Sequence, residues 1–153
     1  MIRRPEAAIR QIGAGDLSLM DGLLDMFGKA FEDEQSYGGR RPGPAYLADL
    51  LVRDDFIALV AMDDGSVVGG LAAYELKKFE QERSEIYIYD LAVAESHRRR
   101  GIATRLIESL QRIARARRAY VIFVQADLGD AAAIALYSKL GVREDVLHFD
   151  IGV

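Results

Sequence analysis

Between Glu85 and Gln125 the sequence spells a strand, a helix and a second strand, and this order constrains the fold more than any other feature. Glu85 to Val93 and Tyr120 to Gln125 are dense in β-branched and aromatic residues, as strands are. Between them, Gly101 to Arg117 puts Ile102, Leu106, Leu110, Ile113 and Ala114 on one helical face, with arginines over much of the rest. Two strands joined through a helix pair in parallel. Upstream, Phe56 to Met62 and Val67 to Leu76 flank Asp63-Asp64-Gly65-Ser66. That spacing predicts a hairpin, because glycine, and less readily aspartate, tolerates the positive φ of a tight turn. A parallel crossover beside an antiparallel hairpin gives a mixed sheet with helices packed on it, an α/β (α+β) fold.

The remaining chain fits around that sheet. Ile9 to Ile12 reads as a short first strand. Leu17, Met20, Leu24, Phe27 and Phe31 step at helical spacing behind a capping Asp16. Ser36 to Pro44 reads as a loop and Ala45 to Leu51 as a short helix. Asp130 is placed to cap a helix ending at Leu140, with Gly141 as its left-handed stop. Val146 to Ile151 reads as a closing strand, with Leu147, Phe149 and Ile151 on one face and His148 and Asp150 on the other. No repeat or linker interrupts residues 1–153, so one domain is expected.

Composition removes several classes of function. With no cysteine there is no disulfide, thiolate metal site or acyl-cysteine intermediate. Two histidines are too few for a convincing metal cluster, so no metal is expected. The net charge of −4 disfavours nucleic-acid binding by the arginine-rich helix and suits a cationic partner better. Met1 to Arg10 holds arginines and a proline but no apolar run, and no stretch approaches the ~20 residues of a membrane span. A cytoplasmic protein is expected.

The chemistry is concentrated where a strand ends at Tyr89-Asp90-Leu91-Ala92-Val93, a turn follows, and Arg98-Arg99-Arg100-Gly101-Ile102-Ala103 opens a helix. Small residues let backbone N–H groups approach a ligand, and the helix N-terminus favours an anion such as a pyrophosphate. A basic triplet alone also reads as a solvated loop, but the strand–turn–Gly-x-Ala–helix context favours the anion site. There is no Gly-Lys-Ser/Thr loop and no Gly-x-Gly-x-x-Gly. Arg98-x-x-Gly101-x-Ala103 resembles the acetyl-CoA signature of the GNAT superfamily of N-acetyltransferases. Ala135 to Val142, with Tyr137 in place, is similar to that family's later helix motif. Phe79-Glu80-Gln81, Arg83 to Val93, Gln125-Ala126-Asp127 and His148 to Ile151 more closely resemble aminoglycoside 3-N-acetyltransferases of the gentamicin–fortimicin type.

The resemblance implies a GNAT fold whose mostly antiparallel mixed sheet splays to admit acetyl-CoA. Backbone groups of Leu91, Ala92 and Val93 would hold the pantetheine arm, and Arg98, Arg99, Arg100, Gly101, Ile102, Ala103 and Thr104 the pyrophosphate. Tyr137 would protonate the departing thiolate; without the motif it reads rather as a core aromatic, since Ile134, Tyr137 and Leu140 share a helical face. A carboxylate would take the amine's proton, with Asp90 the first candidate and Glu85 the second. Asp90 is alternatively a structural acid held by backbone N–H groups at a strand bulge. Glu34 (in the run Glu32-Asp33-Glu34), Tyr87, Asp127 and Asp150 would meet a polycationic substrate, although such a run alone reads as a solvated helix end. His97 is expected to be a loop residue without chemistry, since Ser96-His97 has no evident orienting acid. The implied reaction is direct acetyl transfer in a ternary complex to an aminoglycoside 3-amino group, conferring resistance, by a homodimer joined through the last strand. A polyamine or protein amine as acceptor, and a non-catalytic acyl-CoA-binding module, are the alternatives.

Overall fold

The hairpin forms as its turn residues demand. In the computed structural model, which describes residues 6–153, Asp64 (φ 49°) and Gly65 (φ 76°) both take left-handed conformations. They join β2 (Phe56–Asp63) to β3 (Ser66–Lys77). β1 (Ala8–Gln11) adds to the outer edge of β2, and β4 (Ser84–Val93) pairs antiparallel with β3. β5 (Ala119–Val124) lies parallel to β4, as the crossover requires. The sheet runs β1-β2-β3-β4-β5, mixed and not closed into a barrel. The stretch 1–5, part of the segment read above as lacking a leader, lies outside the described residues.

Helices cover both faces. α1 (Leu17–Ala30) and α3 (Pro44–Leu51) bury Leu23, Phe27 and Leu47 against Phe56, Ala58 and Val60. On the opposite face α4 (Ile102–Ala116) buries Ile102, Leu106 and Leu110 against Ile57, Leu59, Leu71, Ile86 and Ile88. β2 is apolar at consecutive positions because each of its sides meets a helix. Leu23, Leu106 and Leu110 are wholly enclosed, each contributing about 2 kcal/mol. α5 (Ala131–Leu140) has no buried residue and is held far more lightly.

Two adjacent glycines set how closely these helices approach. A Cβ on Gly70 would stand 2.3 Å from Leu23 Cδ1, and one on Gly69 would stand 3.0 Å from Ile102 Cγ2. Gly69 and Gly70 pair with Val93 and Ala92, so the start of α4 is brought down beside the end of β4.

Four local expectations change. Part of the expected loop is a short helix, α2 (Glu34–Gly38), whose first turn is fixed by Asp33 accepting from the Ser36 N–H at 3.1 Å. Asp16 stands at the N-cap of α1 but accepts from the Gly13 N–H and from Arg10 rather than from the helix. Gly141 is extended, not left-handed, so the chain leaves α5 straight. Val146 to Ile151 pairs with no strand among the described residues. Leu147, Phe149 and Ile151 are 83%, 78% and 87% exposed, because no strand among the described residues pairs with the segment.

Candidate active site

The central feature is a slip in the β3–β4 ladder. Ala72 pairs with Asp90 while Ala73 pairs with Ile88, leaving Tyr89 as an extra residue. Before the slip, Ile86 and Ile88 face α4; after it, Leu91 and Val93 do. Ala92 packs toward α1, and Asp90 shares its parity. An unbroken strand would have put Asp90 with Ile86 and Ile88 in the apolar core. The bulge turns it instead toward α2, where it accepts from the Tyr37 hydroxyl at 2.9 Å. The bulge considered from the sequence is present, but the donor is a phenol; among the described residues no backbone N–H bonds this carboxylate.

Burial raises the Asp90 pKa above the ordinary carboxylate value, and the Tyr37 hydrogen bond partly opposes it. A carboxylate shifted this way accepts a proton more readily than an exposed one. Tyr37 itself is pushed well above the usual tyrosine range, by burial first and by Asp90 second, and stays a neutral donor. Beside Asp90 the sheet carries a row of rings: Phe56, Tyr74, Tyr89, Tyr87 and Phe123, with Tyr87 and Phe123 stacked 4.7 Å apart and nearly parallel. The Tyr87 hydroxyl donates to Gln125 at 2.9 Å.

β4 outruns β5. Their pairing ends at Ile88 and Val124, whereas β3 follows β4 to Val93, so Tyr89 to Val93 present a backbone edge with no strand on the β5 side. At the end of this edge the chain makes a 3-10 turn (Glu95–His97) and enters α4 through Arg99 (φ 61°) and Gly101 (φ 74°). Nothing lies within 4 Å of a Cβ built on Gly101, and the first bond of the helix runs from the Arg105 N–H to the Gly101 carbonyl. The N–H groups of Ile102, Ala103 and Thr104 are thus unpaired helix-terminal donors. Arg98 and Arg100 fold back on the Val93 and Ser96 carbonyls at 3.2 and 3.3 Å, keeping their charge beside the opening. An extended acyl-pantetheine along the free edge and a pyrophosphate on the helix end both fit these donors.

His97 does have an orienting acid, which adjacency in sequence did not reveal. Its Nε2 lies 2.7 Å from Asp63 Oδ2 and its Nδ1 2.7 Å from Ser96 Oγ. The chain Ser96–His97–Asp63 pins the turn before α4 to the β2–β3 hairpin.

Tyr137 packs against the α4-side cluster, and burial and then the Asp130 charge raise its pKa, so it holds its proton at neutral pH. Asp130 caps α5 as expected, accepting from the Ala133 N–H at 3.0 Å. Glu85 lies at the far end of β4 from Asp90, with Tyr120 donating to it at 2.9 Å and the Lys78 ammonium forming an ion pair with it at 3.6 Å. Glu34 opens α2 and is exposed; Asp127 is exposed in the β5–α5 loop. Asp150 meets His148 at 2.9 Å on the outlying tail, apart from the other acids. Tyr37 and Asp63 are the residues that the sequence reading missed. Among the described residues, no three His, Asp or Glu side chains gather to hold a metal ion.

A mixed sheet opened between parallel strands, with an anion-ready helix end at the mouth and a raised carboxylate beside it, defines an acyltransferase that draws on a coenzyme A thioester. The chain belongs to the acetyltransferase (GNAT) family, whose model matches residues 20–142. A crystal structure of an aminoglycoside acetyltransferase from an uncultured soil metagenomic sample is 62% identical, with TM-score 0.96, over 97% of this chain and 99% of that one. A second such enzyme from a soil metagenomic sample, crystallised with sisomicin, is 30% identical with TM-score 0.89 over 95% of each chain. The L-methionine sulfoximine/L-methionine sulfone acetyltransferase of Pseudomonas aeruginosa is 28% identical over 140 residues, 88% of this chain and 79% of that protein.

Proposed function

We propose that this acetyltransferase acts on an amino group of an aminoglycoside, with the 3-amine of a gentamicin-like antibiotic as the leading position and resistance as the outcome. The observation that carries the acceptor class is the 62% identity, over nearly the whole chain, to a soil aminoglycoside acetyltransferase. The site's chemistry agrees. Asp90 and the exposed Glu34 and Asp127 suit a cation, and the ring row from Tyr74 to Phe123 suits the apolar faces of sugar rings.

In this reading the free edge of Leu91, Ala92 and Val93 and the donors from Arg98 to Thr104 hold acetyl-CoA, which supplies the acetyl thioester. Asp90 takes a proton from the substrate ammonium. As the amide C–N bond forms and the C–S bond breaks, the attacking nitrogen sheds its second proton to water and Tyr137 gives its hydroxyl proton to the thiolate; water then reprotonates Tyr137 and takes the proton from Asp90, leaving the acetylated amine, the free thiol and one proton released to solvent. Asp90 belongs to the α1 face of the sheet and Tyr137 to the α4 face, and the gap between β4 and β5 opens to both. Holding both reactants there supplies much of the acceleration through proximity. Glu85, bound by Tyr120 and Lys78, is the weaker candidate for the base. The reaction is set in the cytoplasm, the compartment that holds acetyl-CoA.

The functional unit in this reading is a homodimer that exchanges its C-terminal tails. The tail alternates apolar and polar residues like a strand yet pairs with no strand among the described residues, and among them the outer edge of β5 has no partner strand. A second copy supplies to each edge what its own chain carries away.

A second acceptor has its own support: the Pseudomonas relative acts on methionine sulfoximine and methionine sulfone, whose α-amines are small-molecule amines too. A thiol-release assay with acetyl-CoA against gentamicin, kanamycin, methionine sulfoximine and spermidine separates the readings. One acetyl group on gentamicin, mapped to the 3-amine by mass spectrometry, is the expected result. Turnover confined to methionine sulfoximine would replace it.

A further inference from the structure

Asp90 has two carboxylate oxygens, and the fold commits one of them. Tyr37 donates to Oδ2 at 2.9 Å, while no protein donor is found on Oδ1 among the described residues. The Tyr37 hydroxyl is held from three directions. Asp33 fixes the first turn of α2 by accepting from Ser36, and Arg41 donates to the Tyr37 carbonyl at 3.3 Å and to Asp25 at 2.6 Å. The ring itself lies edge-on to Phe27 at 5.9 Å and against Phe31 at 5.6 Å, both from the end of α1. The hydroxyl position is therefore set by helix packing.

The donor's chemistry matters as much as its position. The charged or titratable groups facing Asp90 are Tyr37 from α2, Tyr74 from β3 and Tyr87 from its own strand, with Asp33 acting on Tyr37 and the end of α1 contributing only rings. Among the described residues no lysine or arginine bonds it. A guanidinium there would hold the carboxylate ionised so firmly that it would be a poor proton acceptor. A phenol orients the group and keeps it ionised without neutralising it.

We propose that Tyr37 is a positioning residue for acetyl transfer: its hydroxyl ties down Oδ2 of Asp90 and leaves Oδ1 aimed at the incoming amine. This rests on the reading of Asp90 as the base. It makes α2, a helix far from β4 in sequence, part of the catalytic apparatus.

Tyr37→Phe keeps the ring packing and removes the bond. The test follows the carboxyl carbon of Asp90 by NMR in ligand-free protein labelled at aspartate, and in parallel the pH dependence of kcat/KM with gentamicin. The expected result is an Asp90 titration midpoint that rises in Tyr37→Phe, an acid limb that moves up with it, and kcat lowered about tenfold at unchanged acetyl-CoA affinity. Replacing Tyr37 by 3,5-difluorotyrosine, a stronger donor of the same shape, should move the midpoint down. A midpoint indifferent to both replacements would overturn the positioning role alone. A midpoint that moves while the limb stays still would overturn Asp90 as the base and the positioning role with it.

Discussion

Asp90 faces Ala72 across the β3–β4 ladder at the residue where the register slips, and that slip takes its carboxylate out of the α4-side core. The fold accepts a half-buried carboxylate at this point. Because the folded pKa of Asp90 is raised above its unfolded value, the native state binds the proton more tightly. Between the two pKa values stability therefore falls as pH rises, and at neutral pH the ionised carboxylate is a net cost. Asp90→Asn keeps an oxygen for the Tyr37 hydroxyl and removes that cost. It is expected to raise Tm at pH 7 and leave Tm nearly unchanged at pH 3, while lowering kcat by about 100-fold or more. Thermal melts at the two pH values and steady-state kinetics check both halves; a less active and less stable enzyme at pH 7 would refute the first.

Tyr137 gives the opposite limb. Its raised pKa means that the protonated form persists above the ordinary tyrosine range, so activity should be lost only at strongly alkaline pH. Tyr137→Phe fills the same space against the α4-side cluster without a proton to give. The expected outcome is kcat lowered about 10- to 100-fold, no change in acetyl-CoA affinity by calorimetry, and disappearance of the alkaline limb.

The Ser96–His97–Asp63 chain predicts a binding defect rather than a chemical one. Both nitrogens of His97 are engaged at 2.7 Å, and the turn they fix leads into the N–H groups proposed to hold the pyrophosphate. His97→Ala and Asp63→Ala should each weaken acetyl-CoA several-fold, leave kcat near the parent value at saturating acetyl-CoA, and combine to little more than either alone, since they break one link. Calorimetric titration of the three variants measures this.

Much of this was legible in the sequence where the physics is local. Asp64-Gly65 specified the hairpin through its φ angles, and Asp130 its cap. The Ile102–Leu106–Leu110 stripe specified α4, and strand–helix–strand order specified parallel pairing. What was not legible is long-range. Tyr37 and Asp90 are 53 residues apart, and Asp63 and His97 are 34 apart, so neither bond leaves a pattern in any window of sequence. α2 was hidden because five residues that end in Gly38 and are followed by Gly39 carry almost no periodicity; the Asp33 cap and packing on Phe27 and Phe31 make the helix. The expected closing strand shows the reverse case. Val146 to Ile151 alternates apolar and polar residues but forms no strand in this chain, because alternation states that a face is to be covered and not which molecule covers it.

That last point gives the test of the exchanged tail. In the chain taken alone, Leu147, Phe149 and Ile151 lie open to solvent while the outer edge of β5, with Tyr120 and Val121 exposed, has no neighbouring strand among the described residues. An open strand edge and an unpaired segment with strand-like alternation in the same chain are complementary, and a two-fold axis satisfies both at once. The parent chain has no cysteine, so single cysteines report contacts without background. Light scattering should give twice the chain mass, and removal of residues 142–153 should give monomer. Differently tagged Val121→Cys and Leu147→Cys chains, mixed in denaturant, refolded together and oxidised, should form the mixed disulfide dimer. A Val121→Cys, Leu147→Cys double variant that instead closes on itself as a monomer would mean that each tail folds back onto its own β5. A dimer that survives removal of the tail would place the interface elsewhere.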